Sequence, residues 1–321
     1  MKVVIIGTGG RLGAALAREY REKFDVTGFD HAQFDLGKLE QIRPKIDNLD
    51  FDILINAAAF TNVDLCETER ERAFRVNAQA PRVLAEICRE KKAKLIHFST
   101  DYVFDGEKRE PYDEEDEARP ISIYGESKRE GEKLVTQTDD RHLVVRVSWV
   151  FGPDRPSFID GMLKRAREDE HVDAVADKFS TPTYTFDIAQ MLPQFFGPVP
   201  GVADPGDESD RVSGNSRGTG VDDPGYNSAR NYSGILHFAN AGECSWQEYA
   251  QFALDCCRSL GIPLKAKAVG SVTLADMKTW RARRPMYSVL STVRYISITN
   301  KTPRGWRDAV ADYIRRSYSR K

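Results

Sequence analysis

A chain of 321 residues can form one large α/β unit or two closely joined domains with a substantial buried core. Its 47 basic and 49 acidic residues give a formal net charge of −2, which excludes the strongly basic face typical of nucleic-acid binding. No apolar run nears the ~20 residues of a membrane span; the apolar stretch at Val3–Ile6 is too short for a signal peptide, and the 5 cysteines show no metal-ligand spacing. The expectation is therefore a cytoplasmic protein with free thiols and no metal site.

The first 147 residues alternate short apolar runs with longer amphipathic ones. Val3–Ile6 reads as a buried strand and leads into Gly7-Thr8-Gly9-Gly10-Arg11-Leu12-Gly13, which opens a helix over Leu12–Glu22. In such a series Gly7 permits the tight turn, Gly10 lets the backbone approach a pyrophosphate, and Gly13 lets the helix pack close to the strand. The helix N-terminus offers N–H groups and a positive dipole end to the phosphates. The next strand, Asp25–Phe29, ends at Asp30, near the offset expected of an acid that binds the adenosine ribose hydroxyls. A carboxylate there repels a 2′-phosphate and favours NADH. Arg11 and His31 would offset the repulsion if they pointed inward, so NADPH and NADH both stay open.

Strands at Ile53–Ala57, Leu95–Phe98 and Leu143–Val147, with a helix over Ala80–Lys92, extend the alternation. The fold class it predicts is α/β, a Rossmann-type doubly wound parallel sheet with a smaller C-terminal substrate lobe. Strand Leu95–Phe98 runs into Ser99-Thr100-Asp101-Tyr102, at the edge where open α/β sheets bind ligands. Tyr124 and Lys128 stand four apart and share a helix face. A free phenol titrates near 10, and a neighbouring ammonium favours its ionised form. The pair suits proton donation to a carbonyl oxygen as hydride reaches its carbon, with Thr100 polarising that oxygen and Lys128 within reach of the nicotinamide ribose. Such a pair also arises by chance on many helices; the upstream Thr100 and the glycine loop single it out. Trp149, at the next strand end, reads more often as core than as a ligand platform, although a half-exposed Trp could pack against a sugar face.

Further on, Phe158–Glu168 and Asp187–Phe196 read as helices and Ile235–Ala239 as a short strand. Ser245-Trp246-Gln247-Glu248 has capping-box spacing before a helix that ends at Gly261, and Arg304–Ser317 closes the chain as an amphipathic helix. The segment 197–233, rich in Gly, Pro, Ser and Asp, reads as a flexible insertion. The expected division is a dinucleotide-binding domain over 1–147, with returning segments at about 171–196 and 234–242, and a substrate lobe from 148–170 and 243–300.

Taken together, Gly7–Gly13, Asn56–Thr61, Val76-Asn77-Ala78, Ser99–Gly106, Tyr124–Lys128 with Gly131-Glu132, Ser148-Trp149-Val150, Thr181-Pro182-Thr183, Ser245-Trp246 and Arg284-Pro285 resemble the dTDP-4-dehydrorhamnose reductase family, a branch of the extended short-chain dehydrogenases. The likeness covers nearly the whole chain, and Ser99–Gly106 is its most specific piece. It implies catalytic roles for Thr100, Tyr124 and Lys128 and substrate contacts from Thr100, Asp101 and Trp149. It also implies a cofactor lining that includes Gly10, Arg11, Leu12, Asp30, Asp35, Leu36, Ala59, Phe60, Thr61 and Phe98. The implied reaction is NAD(P)H-dependent reduction of dTDP-4-dehydro-L-rhamnose to dTDP-L-rhamnose, with a nucleotide-sugar substrate.

Sugar 4,6-dehydratases resemble the chain too, but they carry a second carboxylate after the strand-end threonine, because removing water needs both an acid and a base. Here Tyr102 occupies that place. An epimerase or reductase of another NDP-4-keto-6-deoxysugar, a non-catalytic dinucleotide-binding regulatory subunit and a homodimer remain open. The sequence departs from the family at Ser157-Phe158, where Asn-Phe is usual, at Met286-Tyr287 and in the length of the insertion. Arg283 and Arg284 are candidates to pair with the nucleotide diphosphate.

Overall fold

The computed structural model describes residues 1–197, 229 and 232–319; positions 198–228, 230 and 231 of the expected insertion lie outside them. Six strands form the central sheet: β1 (Lys2–Ile6), β2 (Asp25–Phe29), β3 (Ile53–Asn56), β4 (Lys94–Thr100), β5 (Leu143–Val147) and β6 (Gly234–Phe238). Their order is β6-β5-β4-β3-β1-β2, and every pairing is parallel. Parallel sheets are covered on both faces, which is why these strands are runs of Val, Ile and Leu rather than alternating sequences.

Successive side chains still point to opposite faces. Val3 and Ile5 join Leu16, Tyr20, Ile188 and Phe195 on one side, while Val4 and Ile6 join Ile42, Leu84 and Val135 on the other. β4 runs two residues past the predicted Phe98, because Ser99 and Thr100 pair with Arg146 and Val147 of β5. That extension carries Thr100 to the strand's carboxyl end.

Arg146, the one charge in the apolar run of β5, is buried with Glu132 of helix Ile123–Thr138. Two parallel N–H···O bonds of 2.8 Å join them. The helix predicted over Asp187–Phe196 starts at Thr185 and is regular only to Met191; Leu192–Phe195 form a 3₁₀ turn. Pro193 has no N–H to give the Ala189 carbonyl. The Tyr20 hydroxyl donates to it instead, at 3.0 Å, and so ties this segment to helix Arg11–Tyr20.

A separate core lies beyond the sheet edge, where Ile159, Met162 and Leu163 meet Tyr249, Ala253 and Leu254, with Trp306, Val310 and Tyr313 from the last helix. Its strands are short, such as the two-residue pairing of Val150–Phe151 with Thr183–Tyr184. Ser245 and Glu248 form the predicted capping box. Helix Trp246–Ser259 is followed by Gly261 with φ 71°, a left-handed turn suited to glycine. All 5 cysteines are free. Among the described residues no helix is long and apolar enough to cross a membrane, and no cluster of His, Cys, Asp and Glu could hold a metal ion.

Candidate active site

A cavity of about 900 Å³ opens along the carboxyl edge of the sheet, from the β1 turn to the end of β5. At Gly7 the backbone takes φ 95°, and a Cβ there would stand 2.8 Å from the Ala58 nitrogen. Only glycine suits both the conformation and the contact. Gly13 comes so close to the turn that a Cβ would lie 2.1 Å from the Gly7 oxygen. It is buried behind the wall, whereas Gly7, Gly10 and Leu12 line the cavity. Asp30 lines it at the end of β2, its carboxylate accepting from the Gln33 N–H at 2.9 Å; His31, Asp35 and Leu36 follow along the wall.

Arg11 lines the cavity as well, with its guanidinium engaged by backbone carbonyls. Its guanidinium donates to the carbonyls of Val150 (3.1 Å), Arg155 (3.2 Å) and Pro156, all in the segment that leads into the second core. Arg155 Nε donates back to the Gly9 carbonyl at 2.8 Å, and Arg18 pairs with Asp154. The arginine therefore fastens the glycine loop to the second lobe.

The loop Ala59-Phe60-Thr61 lines the cavity beside the glycines, and buried Asn77 pins it. The Phe60 N–H donates to Asn77 Oδ1 at 2.8 Å, and Asn77 Nδ2 donates to the Phe60 carbonyl and to Ser127 Oγ, both at 3.0 Å.

Thr100, Tyr124, Lys128 and Phe98 meet at the far end. Tyr124 stands beside Thr100 in the cavity, and its ring is edge-on to Tyr102, with 5.7 Å between centroids. Burial pushes the Tyr124 phenol upward, against the opposing pull of the nearby Thr100 hydroxyl. The expected lowering by Lys128 is not found. That nitrogen is turned into the sheet, donating to the Phe98 carbonyl at 2.5 Å and facing His97 Nε2 at 3.2 Å. Burial holds the Lys128 ammonium down to about 8.

Thr100 Oγ1 accepts from the Tyr102 N–H (3.2 Å) and donates to Asp101 Oδ1 (3.1 Å). Asp101 also lines the cavity, yet it is 4% exposed and takes two further hydroxyls, Ser148 (3.0 Å) and Ser288 (2.6 Å). Burial raises its carboxyl, opposed first by the Lys178 charge and then by these hydroxyls.

Trp149 is half-buried on the second core and also lines the cavity. Its indole stacks on Trp246 with centroids 5.0 Å apart and leans on Phe158 and Tyr249. Arg284 does not stand free for a diphosphate. It grips Asp64 at 2.7 and 3.1 Å, lies over the Trp280 ring, and its side chain is 9% exposed.

Sequence reasoning missed His97, Lys178 and Ser288, and it quoted Asn56 and Asn77 without a part to play. His97 carried a signal: one polar side chain in the apolar run Leu95–Phe98. Lys178 and Ser288 carried none, because contacts far apart in the chain bring them together.

A family model described as the RmlD substrate binding domain matches residues 1–198 and 225–319. The spore coat polysaccharide biosynthesis protein SpsK of Bacillus subtilis (strain 168) is 32% identical to this chain, over 98% of it and 96% of the relative. The dTDP-4-dehydrorhamnose reductase of Aggregatibacter actinomycetemcomitans is 30% identical, over 96% of this chain and 97% of its own. The crystal structure of dTDP-4-dehydrorhamnose reductase from Bacillus anthracis str. Ames, in complex with NADP, is 28% identical and has a TM-score of 0.82, covering 98% of both chains.

Proposed function

The chain belongs to the RmlD substrate binding domain family, and we infer from that membership and from the cavity that it is an oxidoreductase, a dTDP-4-dehydrorhamnose reductase acting with NADPH or NADH. The observation that carries this reading is that Tyr124, Thr100 and Lys128 line one cavity with the glycine turn. A dinucleotide fits the donors present. Gly7 and Gly10 leave Cβ-free backbone for a pyrophosphate beside a helix N-terminus, and Asp30 offers a carboxylate to ribose hydroxyls. When bound, the nicotinamide supplies the hydride.

The chain's own residues handle the oxygen. Tyr124 remains a neutral phenol because burial disfavours its ionised form, and reduction needs a donor that still holds its proton. Thr100 lines the cavity beside that phenol and sets where the ketone oxygen must sit to receive the proton. Asp101, held by three hydroxyls, keeps Thr100 in place, and Trp149 offers a flat apolar face to the sugar. No second carboxylate follows Asp101, so elimination of water lacks its acid–base pair.

The same reading divides the chain into a dinucleotide-binding domain (1–147, with 171–196 and 234–242) and a substrate lobe (148–170 and 243–300). The separate core behind Trp149 supports a second lobe, but it also takes in Val172, Ala174 and Tyr184, whose strand Val172–Val175 pairs with Val269–Val272, and helix Trp306–Tyr318, so within 171–196 it is Ile188 to Phe196 that pack on the sheet. Five free thiols agree with a cytoplasmic place.

The test mixes purified protein with NADPH or NADH and freshly made dTDP-4-keto-6-deoxysugar, follows absorbance and identifies the product. Stoichiometric loss of reduced cofactor with formation of dTDP-L-rhamnose is expected. Product formed with no net loss would mean epimerisation, and no product at all would leave the regulatory alternative.

A further inference from the structure

Among the glycines of the Gly7–Gly13 turn, Gly9 alone looks out onto charged side chains. A Cβ there would lie 3.3 Å from the Asp30 Cβ and 3.9 Å from Arg155 Nη2, so the acid and the guanidinium flank the same bare stretch of backbone. Asp30 is held against the turn because the Gly7 and Thr8 N–H groups donate to the Phe29 carbonyl, at 2.7 and 3.0 Å. Arg155 reaches the spot from the other lobe and is fixed twice. Its Nε donates to the Gly9 carbonyl at 2.8 Å, and its own carbonyl accepts from Arg11 Nε at 3.2 Å. The neighbouring Asp154 spends its charge on Arg18. Among the described residues neither Nη nitrogen of Arg155 has a hydrogen-bond or ion-pair partner, and the side chain lines the cavity with Gly9 and Asp30.

Resting on the dinucleotide reading above, we propose that Arg155 is a specificity-determining residue for the cofactor: its free guanidinium fork takes the adenosine 2′-phosphate beside Asp30, so that the chain prefers NADPH to NADH. Asp30 by itself acts the other way, since a carboxylate repels a phosphate carrying roughly −1.5 to −2 charges. Arg11 already gives each guanidinium nitrogen to a carbonyl. The His31 side chain is 79% exposed, with Nδ1 3.9 Å from Asp35. Arg155 is the cation that stands at the acid with both ends of its fork unspent. A planar guanidinium offsets the carboxylate's charge and matches phosphate oxygens two at a time. Because its Nε and its backbone are tied down beforehand, little rotamer freedom is left to lose on binding.

Equilibrium binding tests this without turnover. Calorimetric titration gives Kd for NADPH and NADH, and competition compares adenosine 2′,5′-bisphosphate with 5′-AMP, which differ only in the 2′-phosphate. Wild type is expected to bind the phosphorylated member of each pair about tenfold tighter or more. In Arg155→Leu both preferences should fall by about tenfold, to parity or below. Arg155→Gln keeps an N–H for the Gly9 carbonyl but loses the charge and the fork; it should lose the preference too, and it carries the test if the leucine variant does not fold. An unchanged ratio in a folded variant overturns the proposal, even where both dinucleotides weaken together, because a grip on the pyrophosphate or a mere brace would act on both alike. A wild type that prefers NADH and reduces the ketosugar with it overturns the part given to Arg155 and leaves the reductase standing. A wild type that binds neither dinucleotide overturns both.

Discussion

Tyr124 and Thr100 face one another because a strand end and a helix face meet, and both were readable as residue types at fixed spacing. What spacing could not convey was the phenol's environment. A lysine four residues on suggests a lowered phenol; the structure gives a raised one, because burial outweighs a charge that is turned away. A donor for reduction is better served by that outcome. Tyr124→Phe is expected to slow turnover by about 10²-fold or more with dinucleotide binding retained, checked by steady-state rates alongside fluorescence titration. Glu132, by contrast, works on stability. Glu132→Gln leaves Arg146 buried without its counter-charge and should cost roughly 3–5 kcal/mol in denaturant unfolding, with the fold's far-ultraviolet dichroism otherwise unchanged.

Between elements, Arg11, which the sequence offered to a 2′-phosphate, braces two segments together with Arg155. Arg11 and Arg155 cross in opposite directions between the glycine loop and the Val150–Pro156 segment. Arg11→Leu should lower unfolding free energy by about 1–3 kcal/mol and weaken dinucleotide affinity, since the loop loses its brace. Calorimetric titration would separate the two effects. An affinity loss without destabilisation would return Arg11 to the ligand.

The Asp64–Arg284 clasp ties the Trp280–Arg284 stretch to helix Val63–Thr68, with the carboxylate also taking the N–H groups of Arg281 and Ala282. The Arg284 guanidinium leads in holding that carboxyl down to about 2, against about 3.9 in an unfolded chain. A depressed folded value means the stabilisation is whole above about pH 4 and is lost as pH falls toward 2. Relative to Asp64→Asn, the wild-type advantage should be flat from pH 5 to 7 and shrink below pH 4, followed by urea midpoints.

At the scale of the molecule, the sheet was legible because a buried parallel strand announces itself as a short apolar run between longer periodic ones. Asp25–Phe29 and Leu143–Val147 match to the residue. The second lobe was far less legible. Its strands are mostly two residues long, and its core joins helices at 158, 246 and 306 that share no local pattern. The same physics hid Lys178 and Ser288, whose meaning depends on which distant segments touch.

One residue joins the two halves. Trp149 lies one residue beyond β5, after Ser148, and its φ of 42° is unusual for a bulky side chain. Strain of this kind costs on the order of 1–3 kcal/mol and persists only where the surroundings over-determine it, as Trp246, Phe158 and Tyr249 do here. The indole is thus immobilised before any sugar arrives. Its rotational freedom was surrendered when the chain folded, and a ring settling against it need not bear that ordering again.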